Sequence, residues 1–289
     1  MQAYVLPKGV MFSILILTIL LMTSGVVLLF YTTVSHPAEL RSQATATVRS
    51  LQTASTNSTV TAQAQTTTIA QGQARAVATS LAQATIQAQA TTTAQQAIYT
   101  QATSGTPLLT STLAEQGTAN WDTYSAQEGG GCSFSDGAFH AAILGKGFYL
   151  SCFAQGKALA DLTNFALEVQ LNPIQGDAGG VIFRANDQTH TSYMFRLTHD
   201  GYFSLDARTD PSHGTALAYE KNPLVSFAPG KKLTLTIIAQ GSNIYLYINK
   251  QLVGSVNDTT YSTGKIGFFA SDTTNPTEMA FSNLRVWKL

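Results

Sequence analysis

The sequence predicts an all-β domain, a sandwich or barrel, preceded by a transmembrane helix and a low-complexity stalk whose helicity stays open. Three observations carry this expectation. An unbroken apolar run lies near the N-terminus. A long stretch dominated by Thr, Ala, Gln and Ser follows it. Beyond that come many short runs rich in aromatic and β-branched residues, punctuated by Gly and Asn. The boundaries read as a tail at 1–9, a span at 10–31, a stalk at 32–118 and the sandwich at 119–289.

The span runs from Val10 to Tyr31 and holds no charged residue and no proline. A helix of that length covers roughly 33 Å, enough to cross the hydrocarbon core. A cleaved signal peptide, cut near Thr23-Ser24-Gly25, is the rival reading. Lys8 and the α-amino group precede the run, and Arg41 is the first Lys or Arg after it. Positive charge stays inside, so the expected topology is single-pass, with the N-terminus cytoplasmic and the C-terminal domain outside.

In the stalk, large apolar residues are sparse: Val48, Leu51, Val60, Ile69, Val77, Leu81, Ile86 and Ile98. Such a segment cannot bury enough surface to form a globular core. Two states stay open, a long marginal helix and an extended, O-glycosylated, Thr-rich stalk. No heptad persists, so a stable coiled coil is not supported, although a homo-oligomer through the stalk stays open. Either state makes the segment a spacer.

From Asn120 onwards the pattern is all-β. Strands are expected at Phe139–Leu144, Phe148–Cys152, Asn164–Leu171, Gly179–Arg184, Ser192–Thr198, Tyr202–Arg208, Lys232–Gln240, Asn243–Asn249, Gln251–Val256, Lys265–Ala270 and Met279–Trp287. One hairpin is especially legible. It turns at Gly241-Ser242 and puts Ile244, Leu246 and Ile248 on one face, with Tyr245 and Tyr247 on the other. The two tyrosines are a second aromatic candidate, better explained by packing under a loop. Cys132 and Cys152 share this domain, and an exported compartment is oxidising, so they are expected to form a disulfide.

Several motifs resemble a known family. Asp177-Ala-Gly-Gly-Val-Ile-Phe-Arg184 resembles the Gly-x-x-Gly-x-x-Phe-Arg strand of 3-keto-disaccharide hydrolase-like domains. The stretch Lys232–Asp258 is similar to a hairpin those domains share with laminin G-like domains. Gly264-Lys-Ile-Gly-Phe-Phe-Ala and Phe281-Ser-Asn-Leu-Arg-Val-Trp287 resemble their closing strands. The resemblance covers about Phe165 to Leu289, less clearly Asn120 to Phe165, and implies a concanavalin A-like jelly roll, a sandwich of two antiparallel sheets, one of them concave. That fold hosts lectins, adhesion modules and glycosidases alike. It also raises calcium, with Asp177 or Asp272 as the nearest candidates, although no dense run of oxygen ligands supports it.

Chemistry is sparse in the sequence. Retaining glycoside hydrolysis needs paired carboxylates, and no Glu-x-Asp-x-x-Glu strand occurs. Glu168 stands alone on its strand and reads as a surface residue. No Gly-x-Ser-x-Gly or His-Glu-x-x-His motif is present. His36, His140, His190, His199 and His213 are scattered and read mostly as loop or surface residues. No catalytic residue, cofactor or metal ligand is assigned.

Strand alternation puts Tyr202, Ser204, Asp206 and Arg208 on one face. Arg196 opposes Phe195 and Leu197, and Arg184 opposes Phe183. If these strands are neighbours, Arg184, Arg196, Tyr202, Asp206 and Arg208 line a concave face suited to sugar. Guanidinium and carboxylate groups bond paired hydroxyls, and tyrosine rings stack on sugar faces. A solvated sheet face held by charge pairs is the plainer reading. Net charge is zero, so nucleic acid is excluded as a partner. The expected function is a membrane-anchored, extracytoplasmic module binding carbohydrate or a surface polymer. The alternatives are a glycoside-processing enzyme and an adhesion protein with an oligomerising stalk.

Overall fold

The computed structural model describes residues 39–125, 129–145, 147, 149–228 and 230–289. The expected span at 10–31 lies outside the described residues, as does His36. No helix among the described residues is long and apolar enough to cross a membrane. The chain divides into two compact units, Met1–Ala84 and Thr85–Leu289.

Helix α1 (Glu39–Thr103) runs through the Thr/Ala/Gln-rich segment. Threonine is a poor helix former, but here its hydroxyls bond back to carbonyls four residues earlier. Thr53 donates to the Arg49 carbonyl at 2.7 Å and Thr79 to that of Arg75 at 2.9 Å. Leu51, Val60, Ile69, Val77, Leu81 and Ile86 are all exposed, which agrees with the missing apolar stripe.

In the second unit, the described residues form two antiparallel sheets. The nine-stranded sheet holds β1 (Leu109–Ser111), β2 (Tyr124–Ser125), β3 (Gly130–Ser135), β4 (Ala138–Ile143), β6 (Phe165–Gln175), β11 (Leu233–Gln240), β12 (Asn243–Ile248), β13 (Gln251–Asn257) and β15 (Thr277–Lys288). Its order is β13-β12-β11-β6-β15-β4-β3-β2, with β1 also paired to β15. The six-stranded sheet holds β5 (Tyr149–Phe153), β7 (Ala178–Asn186), β8 (Thr191–Thr198), β9 (Tyr202–Arg208), β10 (Gly214–Lys221) and β14 (Lys265–Ser271), in the order β10-β9-β8-β7-β14-β5. The strands expected from alternation are all present. The sequence reading did not anticipate β1, β2, β3 or β10.

The core lies between the sheets. Phe165, Leu167, Val169 and Leu171 of β6 and Tyr193, Phe195 and Leu197 of β8 point into it at period two. An aromatic stack threads it: Phe268 lies 4.2 Å from Phe281 and 4.6 Å from Trp121 between ring centroids. Cys132 on β3 and Cys152 on β5 form the expected disulfide, with Cα atoms 5.9 Å apart, and so tie one sheet to the other. Asn249 and Lys250, both at positive φ, make the two-residue turn between β12 and β13.

The family-like Gly-Gly pair follows from packing. A Cβ on Gly179 would meet the Met279 side chain at 2.4 Å, and one on Gly180 would meet the Phe195 carbonyl at 2.0 Å. Strand β7 therefore runs closer to its neighbours than any side chain allows.

The last turns of α1 pack on the outer face of the nine-stranded sheet. Tyr99 and Ala102 join Ala166, Ile238, Tyr247 and Trp287 in one buried cluster. This corrects two expectations. Tyr247 is covered by a helix end rather than a loop, and its hydroxyl donates to the Gln95 carbonyl at 3.0 Å. Glu168 is not a surface residue, because the helix end roofs it over. Its carboxylate accepts from the Tyr99 hydroxyl and from Thr236, and pairs with Arg285. His140 departs as well: it is buried on β4, with Nδ1 2.6 Å from Glu278 on β15.

Candidate functional site

The outer face of the six-stranded sheet carries a groove of about 840 Å³. It is set by strand parity. Leu150 and Cys152 of β5 point into the core, so Tyr149, Ser151 and Phe153 point out. On the neighbouring strands, Phe269, Ile182 and Met194 also face outward. They make a small apolar cluster with Ala185, against which Tyr149 and Phe153 pack. Tyr124, Asp187 and His190 add to the groove wall.

Polar groups at the wall form a connected line. Asp122 accepts from the Phe153 amide at 3.1 Å and from the Gln155 side-chain amide at 2.9 Å. Lys265 donates to Gln155 at 2.7 Å and to Asp187 at 2.5 Å. Burial opposes ionisation of Asp187, but the Lys265 hydrogen bond and charge outweigh it and hold the carboxyl below its ordinary value. Both carboxylates keep lone pairs that hydroxyl donors can use.

Of the five expected ligand residues, the structure brings four to this face. Arg196 pairs with Asp206 at 3.7 Å, and Ser204 donates to Asp206 at 2.9 Å. The Arg208 guanidinium lies 5.8 Å above the Tyr149 ring and donates to the Pro211 carbonyl. Arg208 thus borders the groove through two of its wall residues. The Nε–H groups of Arg196 and Arg208 are buried without an acceptor among the described residues. A buried donor left without an acceptor costs stability. Tyr202 stacks on Tyr219 at 4.9 Å, with Lys221 over its ring at 5.5 Å.

Arg184 is elsewhere. Two residues of β7, Arg184 and Ala185, stand between the pairs Phe183↔Tyr193 and Asn186↔Thr191, where β8 has one residue. This bulge breaks the alternation on which the expectation rested. Arg184 takes φ 46° and is 2% exposed, and its guanidinium donates to the carbonyls of Thr163, Gly241 and Tyr261. Its position is that of an internal clamp between loops.

The groove residues missed from sequence are Tyr149, Phe153, Tyr124, Asp187 and His190. For β5 the signal was present: once Cys152 is taken as inward-facing, Tyr149 and Phe153 must face out. Tyr219 was hidden because β10 was not recognised.

The two acidic residues raised for calcium differ sharply. Asp177 is saturated. Burial alone would raise its pKa, but the Asn275 side chain and the amides of Thr274, Asn275 and Thr273 donate to it and hold it well below the usual carboxylate range. Asp272 is buried, and neither of its carboxylate oxygens has a hydrogen-bond partner among the described residues. Among the described residues, no three His, Cys, Asp or Glu side chains converge on one point.

A second cleft, of about 750 Å³, lies at one end of the sandwich between His199, Lys221, Asn222 and Phe227.

The family model for the 3-keto-alpha-glucoside-1,2-lyase-like domain matches residues 110–287. The curated proteins include no match to the chain. Among solved structures, the chain is similar to carbohydrate binding module CBM66 from Bacillus subtilis. That match has 17% identity and a TM-score of 0.45, and covers 58% of this chain and 95% of the other. It is also similar to a Bacillus licheniformis beta-glucanase, at 11% identity and a TM-score of 0.48, over 63% and 98% of the two chains. A protein with a galectin-like fold from Bacillus subtilis matches at 15% identity and a TM-score of 0.49, over 64% and 96%.

Proposed function

The chain belongs to the 3-keto-alpha-glucoside-1,2-lyase-like domain family, and we propose that its sandwich is a carbohydrate-binding head. The ligand occupies the groove of the six-stranded sheet. In this proposal residues 10–31 anchor the chain in a membrane, and the Thr/Ala/Gln-rich segment carries the head outside it. The observation that carries the reading is the groove itself. Aromatic edges from Tyr149 and Phe153 lie beside acceptor carboxylates of Asp122 and Asp187 and the donor edge of Arg208. Sugars need that mixture: rings for their apolar faces, and charged groups for paired hydroxyls.

The test is a glycan array probed with the full chain in detergent, beside Tyr149→Ala and Asp187→Asn. Binding of one or more glycans, reduced at least tenfold by each substitution, supports the reading. No glycan bound at millimolar concentration removes it.

A second reading, glycoside processing, is favoured by the family description and by the two carboxylates at the groove wall. Release of sugar from a 3-keto glycoside, lost in Asp187→Asn, would select it.

A further inference from the structure

The outer face of the nine-stranded sheet carries a hollow of about 430 Å³. Strand parity builds its floor. Leu167, Val169 and Leu171 of β6 enter the core, so Glu168 and Gln170 face out. Pairing sets Thr234 of β11 beside Gln170, and Arg285 of β15 beside Glu168. Between Ser282 and Arg285 the register of β15 against β6 shifts, and Asn283 takes φ 53° there. The Asn283 side-chain amide donates to Gln170 at 2.8 Å. Lys250, from the turn between β12 and β13, completes the wall.

Two cations and one carboxylate meet in this hollow. The carboxylate is already occupied: Glu168 accepts from the Tyr99 hydroxyl and from Thr236, and pairs with Arg285. Arg285 keeps donors to spare. One edge of its guanidinium holds Glu168 and its plane lies 5.2 Å over the Trp287 ring, yet 45% of the side chain is exposed. Glu168 and Trp287 thus fix the orientation of a fork that still has free N–H groups. Lys250 is exposed and, among the described residues, has no ion-pair partner. The hollow therefore carries one positive charge in excess, beside the hydroxyl of Thr234 and the amides of Gln170 and Asn283.

We propose that this hollow binds a hydroxylated monocarboxylate, the chemistry of an acidic sugar. Its carboxylate lies between Arg285 and Lys250, and its hydroxyls meet Thr234, Gln170 and Asn283. A planar guanidinium held in place matches a carboxylate. One excess positive charge matches one negative charge. A phosphate dianion would leave a charge uncompensated beside Glu168. Both cations keep contact with water, so binding is weak, with a Kd of about 1 mM. The hollow lies on the other sheet from the groove and shares no lining residue with it, so the proposal does not rest on the groove's ligand.

The test is isothermal calorimetry of the full chain in non-ionic detergent at low salt, titrated with sodium D-glucuronate and, separately, inorganic phosphate. The parent is run beside Tyr149→Ala, which alters the groove alone. The expected result is a saturable glucuronate site that Tyr149→Ala leaves intact. Lys250→Gln, which keeps the Glu168–Arg285 pair, should weaken that site about tenfold, and so should Arg285→Lys. Phosphate should bind more weakly than glucuronate. The absence of glucuronate heat in the parent overturns the proposal, and so does undiminished binding in Lys250→Gln. Binding lost in Tyr149→Ala but kept in Lys250→Gln puts the anion in the groove and overturns it as well. Phosphate bound more tightly than glucuronate overturns the ligand class. If Arg285→Lys does not fold, Lys250→Gln, at an exposed turn, carries the test by itself.

Discussion

Arg208 on β9 lies 5.8 Å above the ring of Tyr149 on β5, although β8, β7 and β14 stand between their strands. In a flat sheet four strand spacings would hold the two backbones about 19 Å apart. The contact therefore requires the six-stranded sheet to curl towards its outer face. The curl turns an alternating strand pattern into a groove, and it brings residues far apart in sequence to the same wall.

Removing the Tyr149 ring should test the wall without testing the fold. The ring sits partly in solvent, over a cluster that keeps Ile182, Met194 and Phe269. Tyr149→Ala should lower glycan affinity about tenfold, or ~1.4 kcal/mol, and shift Tm by less than about 3 °C. Calorimetric titration beside a thermal melt separates the two effects.

Arg184 should behave in the opposite way. Arg184→Met leaves the carbonyls of Thr163, Gly241 and Tyr261 without their donor in a buried bulge. A loss of about 3 kcal/mol is expected. Urea unfolding should show it, while the glycan affinity of the folded fraction stays unchanged.

The disulfide should be worth about 3 kcal/mol, from a loop closed over twenty positions. Cys132→Ala with Cys152→Ala should lower the urea midpoint accordingly. Reductant should then destabilise the parent but not the double variant.

The helix end should undock in alkali. Burial first, and then the neighbouring Tyr245, push Tyr247 up to about 12. Burial and the Glu168 hydrogen bond raise Tyr99 further. A phenol whose pKa rises on folding holds its proton more tightly in the folded state. Docking is therefore fully stabilised below pH 10 and weakens as pH climbs from 10 through about 12. Tyrosinate absorbance and Trp287-dependent fluorescence should report release in that window. Tyr99→Phe, which removes the hydroxyl bonded to Glu168, should shift the transition.

Much of this was legible in the sequence, for physical reasons that also mark where legibility ends. Strands that bury one face, such as β9 and β12, show the alternation that names them and their inward residues. Edge strand β10 buries none of its side chains fully and carries a bulge between Ala216 and Ala218, so its pattern is blurred. Strand β3 opens on Gly130-Gly131, which have no side chain to alternate. Arg184 was misplaced because alternation cannot see a bulge. Glu168 was misread because its cover, the single turn Ile98 to Ala102, is too short to stand out from the Thr/Ala/Gln background. The curl that joins Arg208 to Tyr149 is a property of the whole sheet, and no local window of sequence contains it.

The central claim is that ligand binds in the groove of the six-stranded sheet. Hydrogen exchange of the full chain, with and without a saturating glycan from the array, tests it most directly. The account predicts new protection at residues 149–153, 186–194 and 209–212. Protection confined to the end cleft around Asn222 and Phe227, or no change at saturation, would contradict it.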